Sequence, residues 1–394
     1  MKVAVALSGG VDSALSARLL KEAGHDVFAL FMHNWDERDP DRGCVAAYDF
    51  EDVVAVCDIL RIPYYSLNFT KEYRERVFSR FLDVLKGGQT PNPDVLCNKE
   101  IKFRLLYEKA LSMGADALAT GHYCRTVDGR LFKGKDPGKD QSYFLYALRS
   151  SVLRRVLFPV GHLHKKEVRR MAKEAGLPVC DKKDSTGICF IGERNFATFL
   201  QDHIPPKQGR FETEEGQVVG EHKGVAYYTI GQRRGLGIGG LRGYSGEAWY
   251  VTGKDPERNV VIVAQGENHP SLFSEGLVAT DLSLINRGSP SLPERGRPLR
   301  AKIRYRQREL PCTVRTERGG SITVLFKDPV RAATPGQSIV FFDGEECLGG
   351  AIISAITSSS GQILQKPRPD IVYPSVKDHV TSGSMCIADD GRTR

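Results

Sequence analysis

Val3-Ala4-Val5-Ala6-Leu7-Ser8-Gly9-Gly10-Val11-Asp12-Ser13, residues 3–13, is the stretch that decides the fold. Five apolar residues in a row, stopped by a Gly-Gly turn, read as a strand buried on both faces. Ala14–Ala23 carries helical spacing, and Gly24 supplies the left-handed residue that closes such a helix. Working outward, the same grammar repeats. Strands are expected at Val27–Met32, Tyr64–Phe69 and Ala117–Thr120, and helices at Glu51–Leu60, Lys71–Lys86 and Glu100–Met113. Strands alternating with helices predict a doubly wound parallel sheet, an α/β arrangement that binds ligands at the carboxyl ends of its strands.

Each residue of the Ser8–Ser13 loop has a physical use. Glycines let backbone N–H groups approach an anion, and the helix N-terminus adds a favourable dipole. Ser8 and Ser13 can donate to phosphate oxygens. Asp12 repels phosphate unless a cation such as Mg²⁺ lies between them. A tight turn with a serine cap is the plainer alternative. The loop is neither a Gly-Lys-Ser/Thr phosphate loop nor a dinucleotide Gly-x-Gly-x-x-Gly turn.

A chain of 394 residues exceeds one ordinary core. After Ile204-Pro205-Pro206-Lys207-Gln208-Gly209, glycine punctuates short alternating stretches at Val225–Ile230, Ala248–Thr252 and Val260–Ala264, which read as hairpins. From about 271 to 357 the pattern is β again, with strands expected at Arg300–Tyr305, Cys312–Arg315, Ile322–Phe326, Ser338–Phe342 and Gly350–Ile356, as in a small barrel. The expected units are 1–204, a small β-rich middle unit 205–270, a C-terminal β-barrel 271–357 and a mostly disordered tail 358–394.

Composition is that of a soluble globular protein, 41% hydrophobic and 26% charged. No apolar run approaches the roughly 20 residues of a membrane helix. The chain starts directly in a short strand, so a cytoplasmic protein without membrane attachment is expected. The formal charge of +8 is compatible with a polyanionic partner. Nine scattered cysteines with no C-x-x-C pair do not favour zinc.

Two cysteines stand in special settings. Cys97 follows Thr90-Pro91-Asn92-Pro93-Asp94-Val95-Leu96 and lies near the start of a helix beside Lys99, a setting that lowers a thiol pKa. It reads equally as a buried structural thiol. Cys189 lies in Asp184-Ser185-Thr186-Gly187-Ile188-Cys189-Phe190-Ile191-Gly192, where apolar neighbours suggest core and bracketing glycines suggest a functional loop. Cys44, Cys57, Cys124, Cys180, Cys312, Cys347 and Cys386 read as structural. No partner is assigned to the charged Asn34–Gly43 stretch.

The Ser8–Ser13 loop resembles the SGGxDS loop of the ATP pyrophosphatase (PP-loop) superfamily, whose members split ATP between the α and β phosphates and adenylate a substrate oxygen. Further strings resemble the tRNA-specific 2-thiouridylase family in order and spacing. They are Pro91-Asn92-Pro93-Asp94 with Cys97-Asn98-Lys99, Ala119-Thr120-Gly121-His122-Tyr123, Lys139-Asp140-Gln141-Ser142 and Ser185–Gly192. Later segments agree: Thr229–Arg233, Trp249–Val251, Arg304–Gln307, Thr334–Gln337 and Cys347–Gly350. The match spans about residues 1–357.

The resemblance implies an enzyme that thiolates the wobble uridine of tRNA at C2. Ala6, Leu7, Ser8, Gly9, Gly10, Val11, Asp12 and Ser13 would hold ATP, with Met32 and Gly121 near the adenosine. Cys189 would carry the sulfur as a persulfide, Cys97 would be the second catalytic thiol, and Asp94 would serve acid–base steps. Asn92, Pro93, Asp94, His122, Lys139, Asp140, Gln141, Arg304, Tyr305 and Gln337 would lie at the tRNA. ATP with Mg²⁺ would be the cofactor, a persulfide carrier or cysteine desulfurase the sulfur source, and a monomer the favoured state. Arg233 and Arg234 fit phosphate contacts and a solvated face equally well. Lysidine, GMP and argininosuccinate synthetases share such a loop but need no cysteine pair. An RNA- or nucleotide-binding protein without activity is the non-enzymatic alternative.

Overall fold

In the computed structural model, which describes residues 1–35, 45–184, 196–286, 296–317, 319–358 and 363–365, the first strand spans Lys2–Leu7. It is the middle strand of a five-stranded sheet ordered Tyr64–Asn68, Asp26–His33, Lys2–Leu7, Ala117–Thr120, Val156–Leu157. Every pairing in it is parallel. Val3, Val5 and Leu7 point into one core, with Leu15 and Val53, while Ala4 and Ala6 point into the other, with Phe103 and Leu106. A strand covered on both faces has no reason to alternate with polar residues, which is why Val3–Leu7 is uniformly apolar.

From Lys2–Leu7 the chain builds outward on one side to Asp26–His33 and Tyr64–Asn68, then crosses to build the other side with Ala117–Thr120. That reversal opens a crevice at the carboxyl end of Lys2–Leu7. The helix expected there spans Val11–Glu22, and Gly24 closes it at φ +81°. The helix expected from Glu100 begins at Pro93, capped by Asn92, and runs to Ser112 with a widened stretch at Asn98–Leu106.

The middle unit is a four-stranded sheet ordered Trp249–Asp255, Val260–Gln265, Gly209–Glu212, Val218–His222. The strand expected at Val225–Ile230 is absent. Val225–Tyr227 instead forms one tight turn held by local bonds, and Val225, Ala226 and Tyr228 are all buried rather than alternating.

The C-terminal barrel closes through Phe273–Leu284, which pairs with Ile322–Arg331 on one side and Glu346–Thr357 on the other. Leu310–Thr316, Arg297–Lys302 and Ser338–Asp343 complete the ring. The strand expected to reach Tyr305 stops at Lys302, where Ile303 N donates to Gln307 Oε1 and Arg306 turns to φ +64°. An unforeseen hairpin of the first unit, Cys124–Val127 with Arg130–Lys133, extends this sheet, Leu131 facing Cys347 and Phe132 facing Glu346. Within the tail expected to be disordered, Ile363–Gln365 is a strand paired with Glu346–Thr357, while residues 366–394 lie outside the described residues.

A buried ion pair fastens the barrel to the first unit. Asp140 Oδ2 accepts from Lys302 Nζ at 2.9 Å, and Asp140 Oδ1 accepts from the N–H groups of Gly134 and Ser142. Both side chains are nearly sealed from water. Lys302→Met should therefore cost about 3–5 kcal/mol, because it strands a buried carboxylate. Adding Asp140→Asn should recover part of the loss, and urea unfolding of the single and double variants checks this.

In the middle unit, Lys254 Nζ donates to Tyr228 O at 2.7 Å, and burial pulls its pKa down to about 7. The unfolded chain keeps that proton to about pH 10. Between these values the unfolded state binds more protons, so this group's contribution to stability rises with pH. Lys254→Met should lose that rise. Its urea midpoint relative to wild type should be higher at about pH 6.5 than at about pH 9.5.

Candidate active site

The crevice is lined first by Ser8, Gly9 and Gly10, between the strand and the helix Val11–Glu22. Ser13 Oγ accepts from Ser8 N at 3.2 Å and donates to Gly10 O at 3.0 Å, which folds the loop back over the helix end. Gly9 sits at φ +73°, and a Cβ there would lie 2.6 Å from Asp49 O. Gly121, just past the neighbouring strand, is equally constrained: a Cβ there would lie 2.6 Å from Ser13 N. Ala6 and Leu7 end the strand, Val11 and Ser13 are buried in the helix start, and Met32 is half-buried near the end of the adjacent strand.

Asp12 has a cationic partner within the protein. Lys165 Nζ lies 2.7 and 2.8 Å from its two oxygens, and Tyr123 donates its hydroxyl to Oδ1 at 2.6 Å. Burial, and then the Asp12 charge, push the Tyr123 phenol well above its usual range, so it stays a donor. Lys165 also lies 2.8 Å from Asp184, which pairs in addition with Lys139 and Arg169. Burial alone would raise the Asp184 carboxyl, but Lys139 and Lys165 outweigh it and hold it at about 2. Among the described residues no cluster of three or more His, Cys, Asp or Glu side chains could hold a metal. The charge that suggested Mg²⁺ beside Asp12 is met here by Lys165.

The second group of expected residues converges on the helix that opens at Pro93. Asn92 Oδ1 accepts from Val95 N at 3.4 Å, Asp94 lies half-buried in the first turn, and Cys97 sits one turn in. Cys97 is only 3% exposed, packed with Trp35, Phe78, Ile101, Phe199 and Ala226. Of the two readings the sequence left open at a helix start, its placement is that of the buried thiol. Cys189 and its Ser185–Gly192 motif lie outside the described residues, as do Cys44, residues 36–43 and Cys386.

The side chains expected at the tRNA largely have internal partners. His122 Nδ1 is 2.7 Å from Thr120 Oγ1, its ring packs against Phe103 and Phe158, and burial holds it neutral. Asp140 is the buried partner of Lys302. Gln141 Oε1 accepts from Tyr123 N at 2.9 Å. Arg304 reaches Ile230 O at 3.0 Å and Ala332 O at 2.7 Å, and Gln337 Nε2 donates to Thr90 O and Pro91 O. Tyr305 packs against Phe144 with ring centroids 4.5 Å apart and the rings tilted by 48°, and the Arg306 guanidinium lies over its ring at 5.3 Å. Arg233 lines a separate groove of about 570 Å³ with Tyr250 and His269, and no residue of the phosphate loop takes part in it.

Sequence reasoning missed Lys165, and it quoted Tyr123 and Asp184 within motif strings without giving either a role. Lys165 opens the helix Lys165–Glu174 behind a His164–Glu167 capping box, which announces a helix start but not an ion pair with a carboxylate 153 residues away. Cys57, Cys124, Cys312 and Cys347 are buried, and burial raises each thiol pKa, as structural cysteines require.

Comparison with known proteins gives the relationship. Residues 1–193 match a family model described as "tRNA methyl transferase HUP domain", residues 197–265 one described as "tRNA methyl transferase PRC-barrel domain", and residues 274–353 one described as "Aminomethyltransferase beta-barrel domain". The tRNA-specific 2-thiouridylase MnmA of Bacillus licheniformis is 53% identical over 366 residues, covering 92% of this chain and 97% of that one. The chain belongs to the tRNA-specific 2-thiouridylase family. The family members of Bacillus subtilis (52% over 359 residues, 90% and 95% covered) and Alkaliphilus oremlandii (52% over 360, 90% and 97% covered) match as fully. The fold expected from the resemblance is the one observed: a parallel-sheet unit, a small β unit and a closed barrel. No described helix is long and apolar enough to cross a membrane.

Gly121→Ala should force Ser13 and Asp12 out of place. ATP affinity should fall at least about tenfold, which is about 1.4 kcal/mol. Titration calorimetry against wild type checks this, with circular dichroism showing that the fold persists.

Proposed function

We propose that this chain uses ATP to replace the C2 oxygen of the wobble uridine of tRNA with sulfur. The observation that carries the reading is the Ser8–Ser13 loop. Gly9 and Gly121 let backbone pack closely around it, and it stands at a helix N-terminus, a setting that favours an anion. It occurs in a chain whose relatives, 53% identical, are named tRNA-specific 2-thiouridylases. The family-model description names methyl transfer instead. Methyl transfer needs no cradle for a departing pyrophosphate, so the loop favours thiolation.

In this reading the C2 oxygen attacks the α phosphorus of ATP and pyrophosphate leaves. The Ser8–Ser13 amides and hydroxyls steady the departing charge, as a preorganised set of donors does. The terminal sulfur of a Cys189 persulfide then attacks C2, and AMP leaves with the oxygen. The base is now joined to Cys189 through two sulfurs. Cys97 attacks Sγ of Cys189, the S–S bond to the base breaks, and thiouridine is released with a Cys97–Cys189 disulfide. An external dithiol must reduce that disulfide before the next cycle, and a persulfide carrier or cysteine desulfurase must reload Cys189. Asp94, in the same helix as Cys97, takes the acid–base role. Mg²⁺ would accompany ATP as its counter-ion, and Lys165 balances the charge of Asp12.

The RNA face is assigned to Asn92, Pro93, Asp94 and Lys139 with the Tyr305 ring. His122, Asp140 and Gln141 contribute by shaping that face, since their polar atoms are committed internally.

The test is mass analysis of nucleosides from unmodified tRNA incubated with protein, Mg-ATP and a persulfide source. A 2-thiouridine nucleoside should appear only with ATP. Cys97→Ser and Cys189→Ser should each lose at least about a thousandfold in rate, the scale of removing an essential nucleophile. ATP cleavage without thionucleoside, or full activity in either variant, contradicts the reading.

A further inference from the structure

Residues 88–91 are where all three units meet. From the middle unit, Pro256 abuts Gly88, and Thr229 Oγ1 lies 3.3 Å from Thr90 Oγ1. From the barrel, Pro335 O accepts from Thr90 N at 3.0 Å, and Gly336 packs so closely that a Cβ would lie 2.8 Å from Thr90 O. Gln337 completes the grip, its Nε2 reaching Thr90 O at 3.1 Å and Pro91 O at 3.2 Å. The next residue, Asn92, caps the helix that carries Asp94 and Cys97.

The gripping side is itself stiff. Arg304 ties Ile230 of the middle unit to Ala332 and Thr334 of the barrel. Gly336 N donates to Ile353 O and Ile353 N to Gln337 O, which pins the turn to the barrel wall. Tyr143 of the first unit donates to Ser338 O at 2.9 Å. Prolines at 91 and 93 stiffen the connection from the grip to the helix. The barrel turn thus holds the Asp94–Cys97 helix through a short, inflexible path, and Cys97 there lies 3% exposed. A thiol so covered reaches a substrate only when the packing around it opens.

We propose that Gln337 is a positioning residue for the Asp94–Cys97 helix, and that RNA seated on the face beside Asn92 and Tyr305 sets the exposure of Cys97 through the Gln337 contact with Thr90 and Pro91. Its catalytic consequence rests on the thiolation reading above, whereas its geometric part does not. The amide is suited to this. Its two N–H groups serve two carbonyls at once, which an apolar side chain of the same length cannot do.

The test is Gln337→Met in the full chain, with Thr229→Val as a second variant that loosens the same grip from the middle unit. Three quantities are read: the alkylation rate of Cys97 by iodoacetamide, mapped by peptide mass with Cys180 as internal reference; the same rate with tRNA bound; and kcat and KM for thiolation. In wild type, tRNA should change the Cys97 rate while leaving Cys180 unchanged. In Gln337→Met, the Cys97 rate without tRNA should rise at least about fivefold, its response to tRNA should shrink, and kcat should fall about tenfold with KM for tRNA within about twofold, the signature of lost positioning rather than lost binding. A raised KM with unchanged kcat and Cys97 rate would make Gln337 a plain RNA contact and overturn the proposal. An unaltered Cys97 rate in both variants overturns it as well. If Gln337→Met does not fold, Thr229→Val decides by the same readings. If wild type thiolates nothing, the function reading fails, and the Cys97 rates still decide the geometric claim.

Discussion

The molecule depends on a carboxylate that has no water. Asp140 is sealed between the nucleotide-binding unit and the barrel, and a buried charge is tolerable only with a partner and filled hydrogen bonds. Lys302 and two backbone amides supply both. This pair fixes where the barrel sits. From that placement follow the Gln337 contact on Thr90, the Tyr143 contact on Ser338 and the Arg304 bridge to the middle unit. A β-barrel attached by apolar contacts alone would be free to slide. An ion pair with directional bonds chooses one seat.

The second organising charge is Asp12. A carboxylate inside a phosphate cradle looks contradictory until Lys165 is placed against it. The ammonium is shared with Asp184, the last described residue before the segment that carries Cys189. One cation therefore joins the Ser8–Ser13 loop region to Asp184. The pairs are partly exposed and add little stability by themselves. Their value is geometric, because they hold long side chains in a site where position decides the chemistry.

Much of the first unit was legible because its signals are local. Val3–Leu7 is apolar because both faces are covered, and Gly9 and Gly24 stand where the chain must take a left-handed turn. The phosphate loop was readable for the same reason. What escaped was set by distant partners. Val225–Tyr228 has strand-like composition, yet all-round burial turns it into a tight bend. The Cys124–Lys133 hairpin is polar and short, and only the barrel edge, more than 200 residues on, makes it a pair of strands. At the site, the motif strings were right to be singled out, but the sequence could not say which way each side chain faces. Arg304, Asp140 and Gln337 are engaged inward by carbonyls and charges that belong to other units. Cys97 was expected at a helix start, but the helix begins four residues earlier, at Pro93, and carries it under the aromatic cluster.

The Cys124–Lys133 hairpin has a consequence for how the chain is made. Its strand Arg130–Lys133 leaves the ribosome long before its neighbour, Glu346–Thr357, exists. At synthesis rates of about 5–20 residues per second, its outer edge waits for many seconds with unpaired N–H and C=O groups. Such an edge invites pairing with other chains. Arg130 and Lys133 stand on it and Arg125 on the strand behind it, and each later finds an acid, Glu346, Glu309 or Glu345 respectively, in the part of the chain made later. The same cations that lock the finished joint would repel a second copy of the hairpin while it waits. The nascent first unit thus carries its own protection against premature association until the barrel is complete.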